Sequence, residues 1–116
     1  MINQTVIDLP SFDALKESMG ADFINELAQA YFDETPQLLV KLQQALADSD
    51  PDAFRQAAHS IKSTSNSFGA LQFGSLAREL EMMGRELNLD GAPEKVKTLV
   101  SDYESVHQAL QELCRD

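Results

Sequence analysis

Cysteine is nearly missing from this chain. Cys114 is the only one, so no internal disulfide can form and no CxxC pair exists for metal or redox chemistry, which makes a reducing compartment the expectation. Long apolar runs are missing too: no window approaches the ~18 residues of a membrane span, and Met1 to Pro10 contain no Lys or Arg and no apolar stretch. The sequence therefore predicts a cytoplasmic, unanchored protein. Basic residues are scarce, 9 against 19 acidic ones, and the formal net charge of −10 repels phosphodiester backbones and anionic lipid surfaces, so neither nucleic acid nor membrane is an expected partner. The acidic residues are spread along the chain rather than gathered in a block, which reads first as solubility. No segment alternates apolar and polar residues with the period of a strand.

What is present is helical. Hydrophobic residues make up 43% and charged ones 24% of the 116 residues, the balance of one folded domain covering 1–116. Residues 11 to 19 predict a short covering helix with Ser11 as its N-cap and Phe12, Leu15 and Met19 at helical spacing, stopped by Gly20. From Ala21 to about Asp48 a long helix is expected, with Phe23, Leu27, Ala30, Tyr31, Leu38, Leu42, Ala45 and Leu46 on its apolar stripe and a kink or break at Pro36, the kink being favoured. Asp50-Pro51 caps and opens a third helix over about 51–67, whose inward residues are Phe54, Ala57 or Ala58, Ile61, Ser65 and Phe68, with Gly69 free to take positive φ at the exit. A fourth helix carries Phe73, Leu76, Leu80, Met83 and Leu87, with Gly74 and Gly84 read as places of close helix packing. Pro93 opens a fifth, with Val96, Leu99, Val100, Tyr103, Val106, Leu110 and Leu113. Short connections force consecutive helices to alternate in direction, so the expected fold is all-α: an antiparallel up-down four-helix bundle (about 21–114) with the short N-terminal helix covering one end. Because these stripes are used up within one bundle, a monomer is expected.

The candidate functional group is His59, lying off the Ile61 direction and so facing solvent. Its helical neighbours Arg55, Gln56, Lys62, Ser63, Asn66 and Ser67 include no large apolar residue, which leaves room for a partner. Lys62, one turn away, can neutralise phosphoryl oxygens carried on the ring. Counting from Gly69, ten residues back reaches His59 and twelve forward reaches Glu81, nearly the same height on antiparallel helices at 1.5 Å per residue. Glu81 can then accept a hydrogen bond from Nδ1–H, leaving Nε2 as the nucleophile and stabilising the positive charge that grows on the ring. Arg78 is a second cation for the phosphoryl group.

Ala58-His59-Ser60-Ile61-Lys62-Ser63, then Phe68-Gly69-Ala70 and Leu76-Ala77-Arg78-Glu79-Leu80-Glu81, resemble the signature of histidine-containing phosphotransfer (Hpt) domains. Tyr31-Phe32 through Pro36-Gln37-Leu38-Leu39 and Leu46 to Asp50 extend the resemblance, so that about residues 10 to 114 are covered. It implies that His59 is the phosphorylated histidine, that Lys62 neutralises the phosphoryl group and that Glu81 orients the ring. It further implies a phosphocarrier without kinase or nucleotide-binding activity, shuttling between receiver-domain aspartates and hybrid histidine kinases, with no cofactor of its own and a divalent metal brought by the receiver. Ser63 departs from the glycine usual after the lysine; its hydroxyl either crowds a receiver or hydrogen-bonds the phosphate.

Other chemistries fit less well. Glu104-Ser105-Val106-His107 has the spacing used by metal-binding bundles, but a second such motif is missing, since Gln56 occupies the matching position before His59; His107 reads as a boundary or surface residue. Gly69 to Gly74 lacks the lysine and the preceding strand of a phosphate loop. No Ser-His-Asp arrangement with an oxyanion loop is evident. The remaining alternative is a bundle that docks partners without being phosphorylated.

Overall fold

Helix starts and stops fix this architecture. The computed structural model describes residues 6–114, which form α1 (Leu9–Met19), α2 (Ala21–Ala47), α3 (Pro51–Ser67), α4 (Leu71–Arg85) and α5 (Ala92–Cys114). Helix α3 begins where its chemistry dictates: the Asp50 carboxylate accepts from the Ala53 amide at 3.1 Å, and Pro51 occupies the first turn, where no N–H is needed. It ends before Gly69, whose φ of 88° is open to glycine at little cost, and the Gly69 carbonyl accepts the Asp8 amide at 2.7 Å. That bond ties the start of α1 to the α3–α4 turn, so α1 lies across one end of the bundle.

The four long helices form an antiparallel ring in which α3 packs between α2 and α4, while α5 closes against both α2 and α4. Phe12, Phe54, Leu42, Ile61, Leu80 and Leu99 are among the side chains fully removed from water at its centre. Each such side chain contributes about 1.5–3 kcal/mol of burial, which holds the ring together without an internal disulfide.

Four local expectations are corrected. Asp8, not Ser11, caps α1: its carboxylate accepts from both the amide and the hydroxyl of Ser11, and Pro10 sits inside the first turn. Met19, at the end of that helix, is 48% exposed. The early stripe of α2 is rotated by one residue, with Ile24, Ala28, Tyr31 and Thr35 buried, whereas Phe23 is 45% exposed and Ala30 also faces solvent. Of the two outcomes expected at Pro36 the break does not occur, since α2 is one continuous helix through it. Finally, α4 stops at Arg85, not Leu87: the chain turns into a left-handed residue at Leu87, φ 59°, while the Asn88 amide bonds back to the Met83 carbonyl, so Leu87 is left 76% exposed.

Candidate functional site

Helices α3 and α4 approach closely because α4 has no side chain where they meet. A Cβ on Gly84 would lie 2.8 Å from the Pro51 carbonyl and 2.9 Å from the Arg55 Cβ, and a Cβ on Gly74 would collide with the Asn66 side chain. These two glycines lie on either side of Glu81, and the approach they permit carries the Glu81 carboxylate across to α3. There Glu81 Oε2 is 2.8 Å from His59 Nδ1 and Glu81 Oε1 is 2.7 Å from Lys62 Nζ.

The two ends of the His59–Glu81 contact differ sharply in exposure. The histidine side chain is 56% exposed and the glutamate side chain 4%. Burial opposes ionisation of Glu81, but hydrogen bonds from Lys62 and His59 and the positive charge of Lys62 outweigh it and hold the carboxyl below its ordinary value. An ionised carboxylate can only accept, so in the neutral imidazole the proton belongs on Nδ1, which leaves the Nε2 lone pair free on a ring that is more than half exposed. The result is a ring fixed from behind and open in front.

The remaining residues of interest divide between the two flanks of α3. Lys62 is drawn onto Glu81 rather than left free. Arg78 is exposed and makes no ion pair among the described residues; the arginine beside Glu81 is Arg85, 3.6 Å away and one turn further along α4. The i+4 spacing of Arg85 from Glu81 is visible in the sequence and is the signal that finds it. Arg55 and Gln56 both bond to Asp52, at 3.0 and 2.9 Å. Asn66 leans over Gly74, and Ser67 donates its hydroxyl to the Ser63 carbonyl.

On the other flank, an open groove of about 460 Å³ separates α3 from α2, lined by His59, Ser60, Ser63 and Thr64 on one side and Glu34, Gln37, Leu38 and Lys41 on the other. This α2 wall was not legible as part of the site, since nothing in the spacing of α2 alone says which of its polar residues face His59. Behind it, the Tyr31 hydroxyl shares a 2.7 Å hydrogen bond with Ser65, pinning α2 to α3 beneath the surface. His107 lies apart, half-buried against Phe32 with ring centroids 4.2 Å apart, as a boundary residue should. Among the described residues no three His, Cys, Asp or Glu side chains gather as a metal site, and no helix is long and apolar enough to cross a membrane.

Comparison with known proteins gives this arrangement a family. Pseudo histidine-containing phosphotransfer protein 2 of Oryza sativa subsp. japonica is 21% identical over 101 residues, spanning 85% of this chain and 67% of that protein. The crystal structure of histidine-containing phosphotransfer protein B from Pseudomonas aeruginosa PAO1 matches with a TM-score of 0.87 at 24% identity, covering 95% of each chain, which shows the shared fold. The Hpt domain model matches residues 26–115, well over half of the sequence, including α3, α4 and the part of α2 that lines the groove; the chain belongs to the Hpt domain family.

Proposed function

We propose that this chain is a phosphocarrier in a multistep two-component relay, accepting a phosphoryl group on His59 Nε2 from one receiver-domain aspartate and passing it to another. The observation that carries this reading is the 2.8 Å contact between His59 Nδ1 and the buried Glu81 carboxylate, on a histidine side chain that is itself more than half exposed. Hpt domains are carriers rather than turnover enzymes, and they meet receiver domains and histidine kinases.

The chemistry follows from the geometry. Nε2 attacks the phosphorus of an aspartyl phosphate, the N–P bond forms as the P–O bond to the carboxyl breaks, and the aspartate leaves as carboxylate. No proton has to move, because Nδ1–H stays on the ring, which becomes cationic as Glu81 compensates its charge. The same contact serves the reverse transfer, so the step is reversible by construction. Lys62, Arg78 and Arg85 supply positive charge near the ring. Arg55, Gln56, Ser63, Asn66 and Ser67 offer small or polar side chains on which a receiver can seat, and the receiver would bring the divalent metal. We place the protein in the cytoplasm, where Cys114 stays reduced, acting as a monomer because most of its apolar stripe residues pack within one bundle.

Incubation with a phosphorylated receiver domain, followed by intact mass, tests the reading. It predicts one acid-labile phosphoryl adduct that is absent in His59→Gln. The name of the rice relative, a pseudo phosphotransfer protein, favours a second reading in which the bundle docks partners without phosphorylation. No adduct from any receiver would support that one instead.

A further inference from the structure

Lys41 belongs to none of the contacts described above, yet it stands level with His59. From Asp50, nine residues forward along α3 reach His59 and nine back along α2 reach Lys41, so on adjacent antiparallel helices both lie about 13 Å from the turn. Both line the same groove, which continues past Gln56 into a second hollow of about 350 Å³ again bordered by Leu38, Lys41 and Ser60. Among the described residues Lys41 is the only lysine or arginine lining either hollow.

Of the other cations, Arg78 stands on α4 and lines neither hollow, and three are already committed. Lys62 lies 2.7 Å from Glu81, Arg85 3.6 Å from the same carboxylate and Arg55 3.0 Å from Asp52. Lys41 has no carboxylate within 4.0 Å among the described residues. Of the acids bordering the groove, Glu34 and Asp48 each lie seven residues along α2, about 10 Å away, and Asp50 is occupied in capping α3. A phosphoryl group on Nε2 adds close to two negative charges to a chain that already carries −10. Charge on that scale at the mouth of the groove draws an uncommitted ammonium that lines it.

We propose that Lys41 is the phosphoryl-contacting cation on the α2 side, reaching over the groove to the group carried on His59 Nε2, while Lys62 acts first as a positioning residue for Glu81. The inference rests on the relay reading and assigns it a residue from a helix that carries neither the histidine nor its carboxylate. Lys41 is exposed, so its replacement should leave the fold intact.

Phosphoramidate tests this without a partner protein. Nε2 displaces ammonia from phosphorus: the N–P bond to the ring forms, the P–N bond of the reagent breaks, and the zwitterionic reagent's own protons leave with the ammonia. Wild type, Lys41→Met, Lys41→Arg and His59→Gln are followed by intact mass and by a ³¹P NMR pH titration of the adduct. Lys41→Met should acquire phosphate about three- to tenfold more slowly, and its phosphoryl resonance should titrate at higher pH. Lys41→Arg should restore both. Equal rates and titration curves in wild type and Lys41→Met would overturn the role of Lys41 alone. A wild type that takes up no phosphate, or an adduct that persists in His59→Gln, would overturn the relay reading itself.

Discussion

Helix α3 has two flanks built on opposite principles. Towards α4 the backbones approach so closely that a single methyl group at Gly84 would strike main-chain atoms, and the polar groups trapped there are paired with one another. Towards α2 the upper layer opens into a groove lined by hydroxyls, a carboxylate, an amide and a lysine, of which Thr64 and Gln37 bond only to carbonyls of their own helices. The sealed flank fixes the orientation of His59, because a buried carboxylate held by two partners cannot turn without breaking both bonds. The open flank leaves the nucleophilic nitrogen accessible. One histidine at their boundary can therefore be both pre-organised and exposed.

The contrast can be broken most severely at Glu81. Glu81→Ala removes the acceptor from Nδ1 and frees Lys62, and phosphotransfer should slow by about ten- to a hundredfold. Helical content by circular dichroism should be unchanged. Unaltered single-turnover rates would remove Glu81 from the site. Gly84→Ala forces the seam apart: the new methyl meets the Pro51 carbonyl and Arg55, so a stability loss of about 1–3 kcal/mol is expected in denaturant titration, together with slower phosphate uptake as Glu81 is carried away from His59. Retained stability would mean the helices have slack that the structure denies.

Acid separates the flanks by charge. The Glu81 carboxyl is depressed in the folded state, so its contribution to stability is present above its unfolded value of 4.5 and is lost as pH falls through the lower folded value. Wild type should therefore lose stability relative to Glu81→Gln only below about pH 4.5, with a constant difference between them nearer neutrality. A gap that closes well above that range would contradict the ion-paired seam. The smallest effect is expected on the groove, where Ser63→Ala should change unfolding free energy by no more than about 0.5 kcal/mol. The lifetime of the phosphoryl group in that variant distinguishes a hydroxyl that crowds a receiver from one that hydrogen-bonds phosphate.

The same division explains what could be read from the sequence. The bounds of α3 and the pairing of His59 with Glu81 were legible because capping chemistry at Asp50-Pro51 and the glycine at the exit fix both the helix and its register against α4. The roles of Gly74 and Gly84 as packing positions were legible for the same reason: a residue that costs helix stability usually repays it in contact. The α2 side was less readable. Thr35 is polar and buried while Phe23 is apolar and largely exposed, so periodicity placed the early stripe one residue out of phase. With that phase uncertain, Lys41 could not be set opposite His59. Leu87 misled in another way, since a left-handed turn formed by a non-glycine residue leaves no mark in the spacing of apolar residues.

The central claim is that Glu81 holds the proton on Nδ1 and thereby leaves Nε2 as the phosphoryl acceptor. Long-range ¹H–¹⁵N NMR of His59 in the phosphorylated protein, with ¹⁵N–³¹P coupling resolved, reads both nitrogens at once. The geometry predicts phosphorus coupled to Nε2 and a proton on Nδ1 hydrogen-bonded to Glu81. Phosphorus on Nδ1 would contradict it.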